Sequence, residues 1–189
     1  RTDQQVLSTL DDIQEGCWIN MVDPTNKEIE QIAKRFEIEP EDIASALDEE
    51  ESSRISLEDG YTVILVDIPT PEVRHEKKMY TTIPLGIILK SEAIITVCKI
   101  DTPIINYFVR NKVKEFSTKK KMRFIYQMLF RSAFVYQANL RLIDKKRIEI
   151  EERVDGDTSD TDLIELHELE STLVYFATSL RANSIVLER

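Results

Sequence analysis

The chain has 189 residues, 42% hydrophobic and 32% charged, which gives it room for one substantial core plus a helical extension and excludes a disordered polymer. Its 35 acidic residues outnumber 25 Lys and Arg, and the formal net charge of -10 argues against a nucleic-acid binder and toward cations or basic surfaces as partners. Cys17 and Cys98 lie inside apolar runs as small core residues, which fits a reducing compartment. No signal-peptide pattern opens the chain, and the longest apolar runs, 83–89 and 93–98, fall far short of the roughly 20 residues that cross a bilayer.

Residues 1–16 are polar and acidic and read as a short helix or loop. Residues 17–22, Cys-Trp-Ile-Asn-Met-Val, form a buried strand closed by Asp23-Pro24. Thr25 and Glu28 make a capping box, and Ile29, Ile32, Ala33 and Phe36 supply one face of the helix that follows. Pro40 opens a second short helix with Ile43, Ala46 and Leu47 inward, running out into Asp48-Glu49-Glu50-Glu51. Ile55 and Leu57 alternate with polar residues up to the Asp59-Gly60 turn, and 61–68 is apolar on both faces, as a central strand should be. Residues 69–78, with Pro69, Pro71 and His75, read as a loop. Residues 80–89 and 93–98 form a second hairpin, and Pro84 with Gly86 predicts a bulge or an edge position. Asp101-Thr102-Pro103 caps a helix carrying Ile104, Ile105, Phe108 and Val109.

The last third reads as two long helices folded back on each other. Ile125, Leu129, Tyr136, Leu140, Ile143, Ile150 and Val154 form the stripe of the first. After the polar break at 155–159, Leu163, Leu166, Leu169, Leu173, Phe176, Leu180 and Leu187 form a heptad seam with Asn183 at a core position. Leu166, Leu169, Leu173, Phe176, Leu180, Asn183 and Leu187 are therefore the expected interface for a partner helix. No Gly, Pro or polar cluster stops the second helix, so a continuation is expected beyond Arg189. Hairpins outnumber strand-helix units, which predicts an α+β fold: an αβα sandwich with a mixed, largely antiparallel sheet over 1–116, then two long antiparallel helices over 117–189.

Catalytic constellations are scarce. His75 and His167 are the only histidines, both cysteines lie in expected strands where burial would raise a thiol rather than activate it, and four glycines build no phosphate-cradling loop, so no enzyme is expected. The carboxylates of residues 155–162 fail as a calcium loop, with Asp160 where Gly is needed and Leu166 where the bidentate Glu belongs; a plain acidic turn capped by Ser159 or Asp160 fits better. A second acidic cluster, Glu39, Glu41, Asp42 and 48–51, surrounds the short helix after Pro40. A solvated rim is the simplest reading. Any hard cation there would use Asp42, Asp48 and Glu49 together with carboxylates of another subunit or element, keeping most of its water as Mg2+ does. Lys119, Lys120, Lys121 and Arg123 read as a solvated basic face at a helix start.

Trp18-Ile19-Asn20, the capped helix ending in Arg35-Phe36, Ile38-Glu39-Pro40, Asp59-Gly60-Tyr61, and Ile83-Pro84-Leu85-Gly86-Ile87-Ile88-Leu89 before Ile94-Ile95-Thr96-Val97 resemble the cytosolic domain of the CorA family of divalent-cation transporters. The resemblance spans Gly16 onward and implies an αβα domain whose long helices lead through a stalk helix to two membrane spans per subunit of a pentamer. It implies Mg2+ as the transported ion, with Co2+, Ni2+ or, from a zinc-exporting branch, Zn2+ as others, and a place on the cytoplasmic side of the cell membrane. The family's regulatory acidic pair would fall on Ala44 and Ser45, and an aspartate of its first long helix on Arg131, so the usual intersubunit ligands are replaced here. A self-standing coiled-coil adaptor is the alternative reading, and a metal-dependent hydrolase a weaker third.

Overall fold

The computed structural model describes residues 1–3, 6–74, 77–154 and 159–188; His75 and the acidic turn at 155–158 lie outside the described residues. The chain opens with a short antiparallel ribbon of β1 (Thr2–Asp3) and β2 (Val6–Leu7), where a helix or loop was expected. The cause is distant: buried Thr2 and Thr118 exchange backbone-to-hydroxyl bonds of 3.2 and 3.0 Å across 116 positions, which no local pattern announces.

β3 (Cys17–Val22), β4 (Arg54–Glu58), β5 (Tyr61–Arg74), β6 (Lys77–Leu89) and β7 (Ala93–Cys98) make one sheet in the order β3-β7-β6-β5-β4. Only β3 and β7 pair in parallel, so the sheet is mixed and largely antiparallel, as predicted. The strand period of two sends Ile64, Val66, Ile68, Leu85 and Ile87 to one face and Val63, Leu65, Ile88, Ile95 and Val97 to the other. Both faces must therefore be covered. The second is covered by α1 (Asn26–Phe36), α2 (Pro40–Ala44) and a one-turn 3-10 helix (Ser45–Leu47); the first by α3 (Pro103–Val109) and the start of α4 (Lys121–Val154), with Val186 of α5 (Asp160–Leu187) joining that core.

The predicted loop at 69–78 is instead strand. β5 and β6 pair without interruption from Thr62↔Leu89 to Arg74↔Lys77, so the expected bulge at Pro84 is absent as well. β4 stops opposite Leu65 and β7 opposite Gly86, so the hairpin projects beyond both as a two-stranded arm. Its prolines are tolerated for one geometric reason. The N–H and C=O of Asp67 bond to Asn183, hence point away from β6, and by the period of two Pro69 and Pro71 share that orientation. Pro84, opposite Asp67, likewise turns its nitrogen outward, past the end of β7. All three missing donors thus fall on free edges of the arm, where no ladder bond is lost.

α4 and α5 pack along this arm. The α4 stripe is largely as read, with Ile125, Tyr136, Ile143 and Ile150 buried. The α5 seam divides between two faces. Leu169 and Phe176 are buried against Met79, Tyr136 and Ile143, and Leu166 is half-buried beside them. Leu163, Leu173, Leu180 and Leu187, by contrast, are exposed. The second buried column is displaced by one position, onto Glu165, Thr172, Ser179 and Val186. Two of these are polar because they face the arm: the Thr172 hydroxyl donates to the Tyr80 carbonyl at 3.2 Å, and Ser179 to the Thr82 hydroxyl at 2.9 Å; Glu165 instead accepts from Arg153 of α4 at 3.1 Å. Asn183 sits beside the free edge of β5, accepting from Asp67 N–H and donating to its carbonyl, each at 2.8 Å, while also accepting from Ser53 at 2.9 Å. Its side-chain amide stands in for a neighbouring strand just where β4 has ended.

Candidate functional site

The acidic residues after Pro40 are held by the sheet beneath them. Pro40 occupies the first turn of α2, and fully buried Ile43 and Ala46 anchor the segment. The approach is close: a Cβ placed on Gly86 would lie 2.6 Å from the Ala46 Cβ, so only glycine admits the 3-10 turn at that distance. Tyr61 reaches up from β5, donating to the Asp42 carboxylate at 2.7 Å and accepting the Glu39 N–H at 3.2 Å. Burial first, then the bond to Asp42, pushes the Tyr61 hydroxyl up to about 12, so it remains a donor to Asp42 at physiological pH.

Asp48 caps its own turn by accepting the Glu50 N–H at 3.0 Å. Glu49 pairs with Lys99 at 2.7 Å and raises the lysine above its ordinary value. Asp42, Asp48 and Glu49 thus each have a separate protein partner, and among the described residues no group of three or more His, Cys, Asp or Glu could hold a metal ion. A cation site closed within one chain does not fit these donors. Ala44 and Ser45 are half-buried, and the Ser45 hydroxyl donates to the Asp42 carbonyl at 2.9 Å.

Arg131 lies across the sheet, on α4. Its guanidinium stacks on the rings of Tyr107, 4.0 Å from the centroid, and Phe134, at 4.9 Å. It forms one wall of a groove of about 830 Å3 between α3 and the first half of α4, which Tyr126, Phe130 and Lys112 also line. Sequence reasoning did not single out this groove. The available signal was Met122, Tyr126, Phe130 and Phe134, spaced by four on the side of α4 away from its buried stripe. His167 is exposed, 3.6 Å from Glu170, and takes part in no metal-binding cluster among the described residues.

A model of the CorA-like Mg2+ transporter protein family matches residues 14–189. The chain belongs to this family. A curated relative, the cobalt/magnesium transport protein CorA of Methanocaldococcus jannaschii, is 25% identical over 174 residues, covering 90% of this chain and 53% of the relative. The chain therefore spans about half the length of that CorA. The soluble domain of CorA from the same organism superposes with a TM-score of 0.79 at 24% identity over 90% of this chain and 68% of that one. The complete M. jannaschii CorA magnesium transporter gives 0.78 at 24% identity, over 98% and 57% respectively. The two structures establish the fold. Among the described residues no helix is long and apolar enough to cross a membrane.

Proposed function

We propose that this chain is the cytosolic regulatory domain of a CorA-like transporter or channel for Mg2+, Co2+ or a similar divalent ion, coupling intracellular cation level to the pore. Membership of the family and the agreement with a CorA soluble domain support this reading. The observation that carries it furthest is the outer column of α5: Leu173, Leu180 and Leu187 are 40%, 38% and 58% exposed on a helix already fixed to the sheet by its other side. A stripe of leucines at seven-residue spacing is costly to leave in water. In this reading a stalk helix, within the part of the relative that the chain does not span, covers the column and carries motion toward the membrane. The assembly is a homo-oligomer, a pentamer as the resemblance implies, on the cytoplasmic side of the cell membrane.

Cation level would be read at the rim of Asp42, Asp48 and Glu49, with a neighbouring subunit supplying what one chain lacks. No catalytic step is assigned. The test is Mg2+ and Co2+ uptake by the full-length gene in bacteria stripped of their own magnesium transporters. Restored growth at low magnesium with measurable influx is expected. A membrane-inserted product that moves neither ion would contradict the reading, and a stable complex with a helical partner lacking any membrane segment would favour the adaptor alternative.

A further inference from the structure

Positive charge is concentrated in one stretch of this acidic chain. Residues 110–123 hold seven Lys and Arg against one acid, Glu115, in a chain of net charge -10. Glu115 pairs with Arg123, at the far end of the stretch. Arg110 and Lys112, at its beginning, and Arg131 of α4 make no ion pair among the described residues.

The fold gathers these three cations round one cavity. Arg110 caps the end of α3, Asn111 takes a left-handed φ of 53°, and the Lys112 N–H turns back to the Tyr107 carbonyl at 3.1 Å. The N–H groups of Arg110 and Asn111 likewise bond the Asn106 and Phe108 carbonyls, which blunts the negative end of the helix. Arg131 arrives from the other side, its guanidinium 4.0 Å from the centre of the Tyr107 ring. With Asn106 these residues line a cavity of about 330 Å3, which shares Tyr107, Lys112 and Arg131 with the aromatic groove of about 830 Å3. Neither lining contains a carboxylate, in a chain with 35 acidic residues. Asp101, the acid nearest in sequence, accepts from the Asn106 amide at 2.8 Å and lies outside the lining.

Each part selects a chemistry. Three cations round a concave site raise its potential and match a group that carries several negative charges close together. A guanidinium already stacked on a ring is oriented before the ligand arrives, and its planar edge suits phosphate oxygens. Beside it, Tyr126 and Phe130 are one helical turn apart on α4 and 62% and 76% exposed, so their ring faces are open to a flat aromatic group.

We propose that the cavity at Arg110, Lys112 and Arg131 binds the phosphates of a nucleoside triphosphate whose base stacks on Phe130 in the adjoining groove. The proposal goes beyond the transport reading and does not rest on it. Mg2+ neutralises two of the phosphate charges and competes with the three side chains for the same oxygens, so the metal-free triphosphate is the tighter ligand.

The test is isothermal titration calorimetry of the chain with ATP, inorganic triphosphate and adenosine, in EDTA at low salt, and again with Mg2+ at matched ionic strength. ATP is expected to bind one site per chain, triphosphate several-fold more weakly, adenosine scarcely at all, and added Mg2+ or salt should weaken ATP binding. Arg131→Gln and Arg110→Gln with Lys112→Gln should each weaken ATP about tenfold or more. Phe130→Ala, at an exposed position that folding does not need, should weaken ATP about fivefold and leave triphosphate unchanged. Lys119→Gln with Lys120→Gln removes two charges from the same stretch outside the cavity and should change little; circular dichroism checks each variant. Equal losses in this control and in the Arg110 and Lys112 variant would overturn the proposal, as would ATP binding that requires Mg2+, triphosphate binding as tight as that of ATP, or no saturable binding at millimolar ATP.

Discussion

The two helical layers are attached to one sheet by opposite means. α1, α2 and the 3-10 turn bury Ile29, Ala33, Phe36, Ile43 and Ala46 against the strands in a dry contact, close enough at Gly86 to exclude a Cβ. α5 meets the β5–β6 arm through hydroxyls and an amide, its apolar anchors Leu169 and Phe176 flanked by Thr172, Ser179 and Asn183. The difference follows from what each layer covers. The central strands offer only side chains, because their backbone groups are spent in ladders; the arm has free edges whose N–H and C=O need partners. A helix that supplies those partners spends its polar residues inward and leaves leucines outside. Hydrophobic patterning therefore marks the buried face of α1 and misplaces half of that of α5.

The largest test of this contrast is Phe176→Ala. Phe176 is 1% exposed, edge-on to Tyr136 at a centroid distance of 5.0 Å, and its loss should cost about 3–5 kcal/mol in denaturant unfolding. A cost below about 1 kcal/mol would mean that polar bonds alone hold α5. Gly86→Ala probes the dry layer. With the Ala46 Cβ at 2.6 Å the sheet and the 3-10 turn must separate, and destabilisation of about 1–3 kcal/mol is expected, with faster hydrogen exchange in α2 but not in α5. Uniform exchange changes in both layers would contradict their independence.

A smaller effect is expected at Asp67, and it depends on pH. Burial holds its carboxyl above the ordinary 3.8, against a weaker downward pull from the Ser179 hydroxyl. The folded chain therefore binds this proton more tightly than the unfolded chain does. The resulting stability is complete below the ordinary value and is lost as pH rises through the folded one. Asp67→Asn should accordingly stabilise at neutral pH and change little in acid. A variant equally stabilised at both would assign the effect to something other than ionisation.

Much of the fold was legible in the sequence. Thr25 and Glu28 form the expected capping box, with Glu28 accepting the Thr25 N–H at 2.8 Å; Asp59-Gly60 makes the turn; Ser159 caps α5 with Asp162. These are local devices whose chemistry lies within four residues. The outer part of the arm was hidden because Pro69 and Pro71 argue against a strand unless the pairing register, a tertiary fact, is known. The α5 column at Thr172 and Ser179 was hidden because polarity suggests solvent unless the free edges of the arm are known. At the candidate site, the resemblance drew attention to Ala44, Ser45 and Arg131, but the contact of Arg131 with the Tyr107 and Phe134 rings was not legible, since Tyr107 comes from another helix.

Asn183 decides whether α5 is held by its polar bonds to the arm. Placed in a leucine seam, it would set register at some cost, and Asn183→Leu would stabilise the chain. Bonded as it is to Asp67 N–H and C=O and to Ser53, its removal leaves the partly buried Asp67 N–H unpaired, while the Asp67 carbonyl keeps the Tyr136 hydroxyl at 3.0 Å, and should cost on the order of 2 kcal/mol. The most direct measurement is thermal unfolding of Asn183→Leu beside Leu180→Asn, one position from each column of the same helix. The account predicts a clear fall in midpoint for the first and almost none for the second. The reverse, a stabilised Asn183→Leu and a damaged Leu180→Asn, would contradict it.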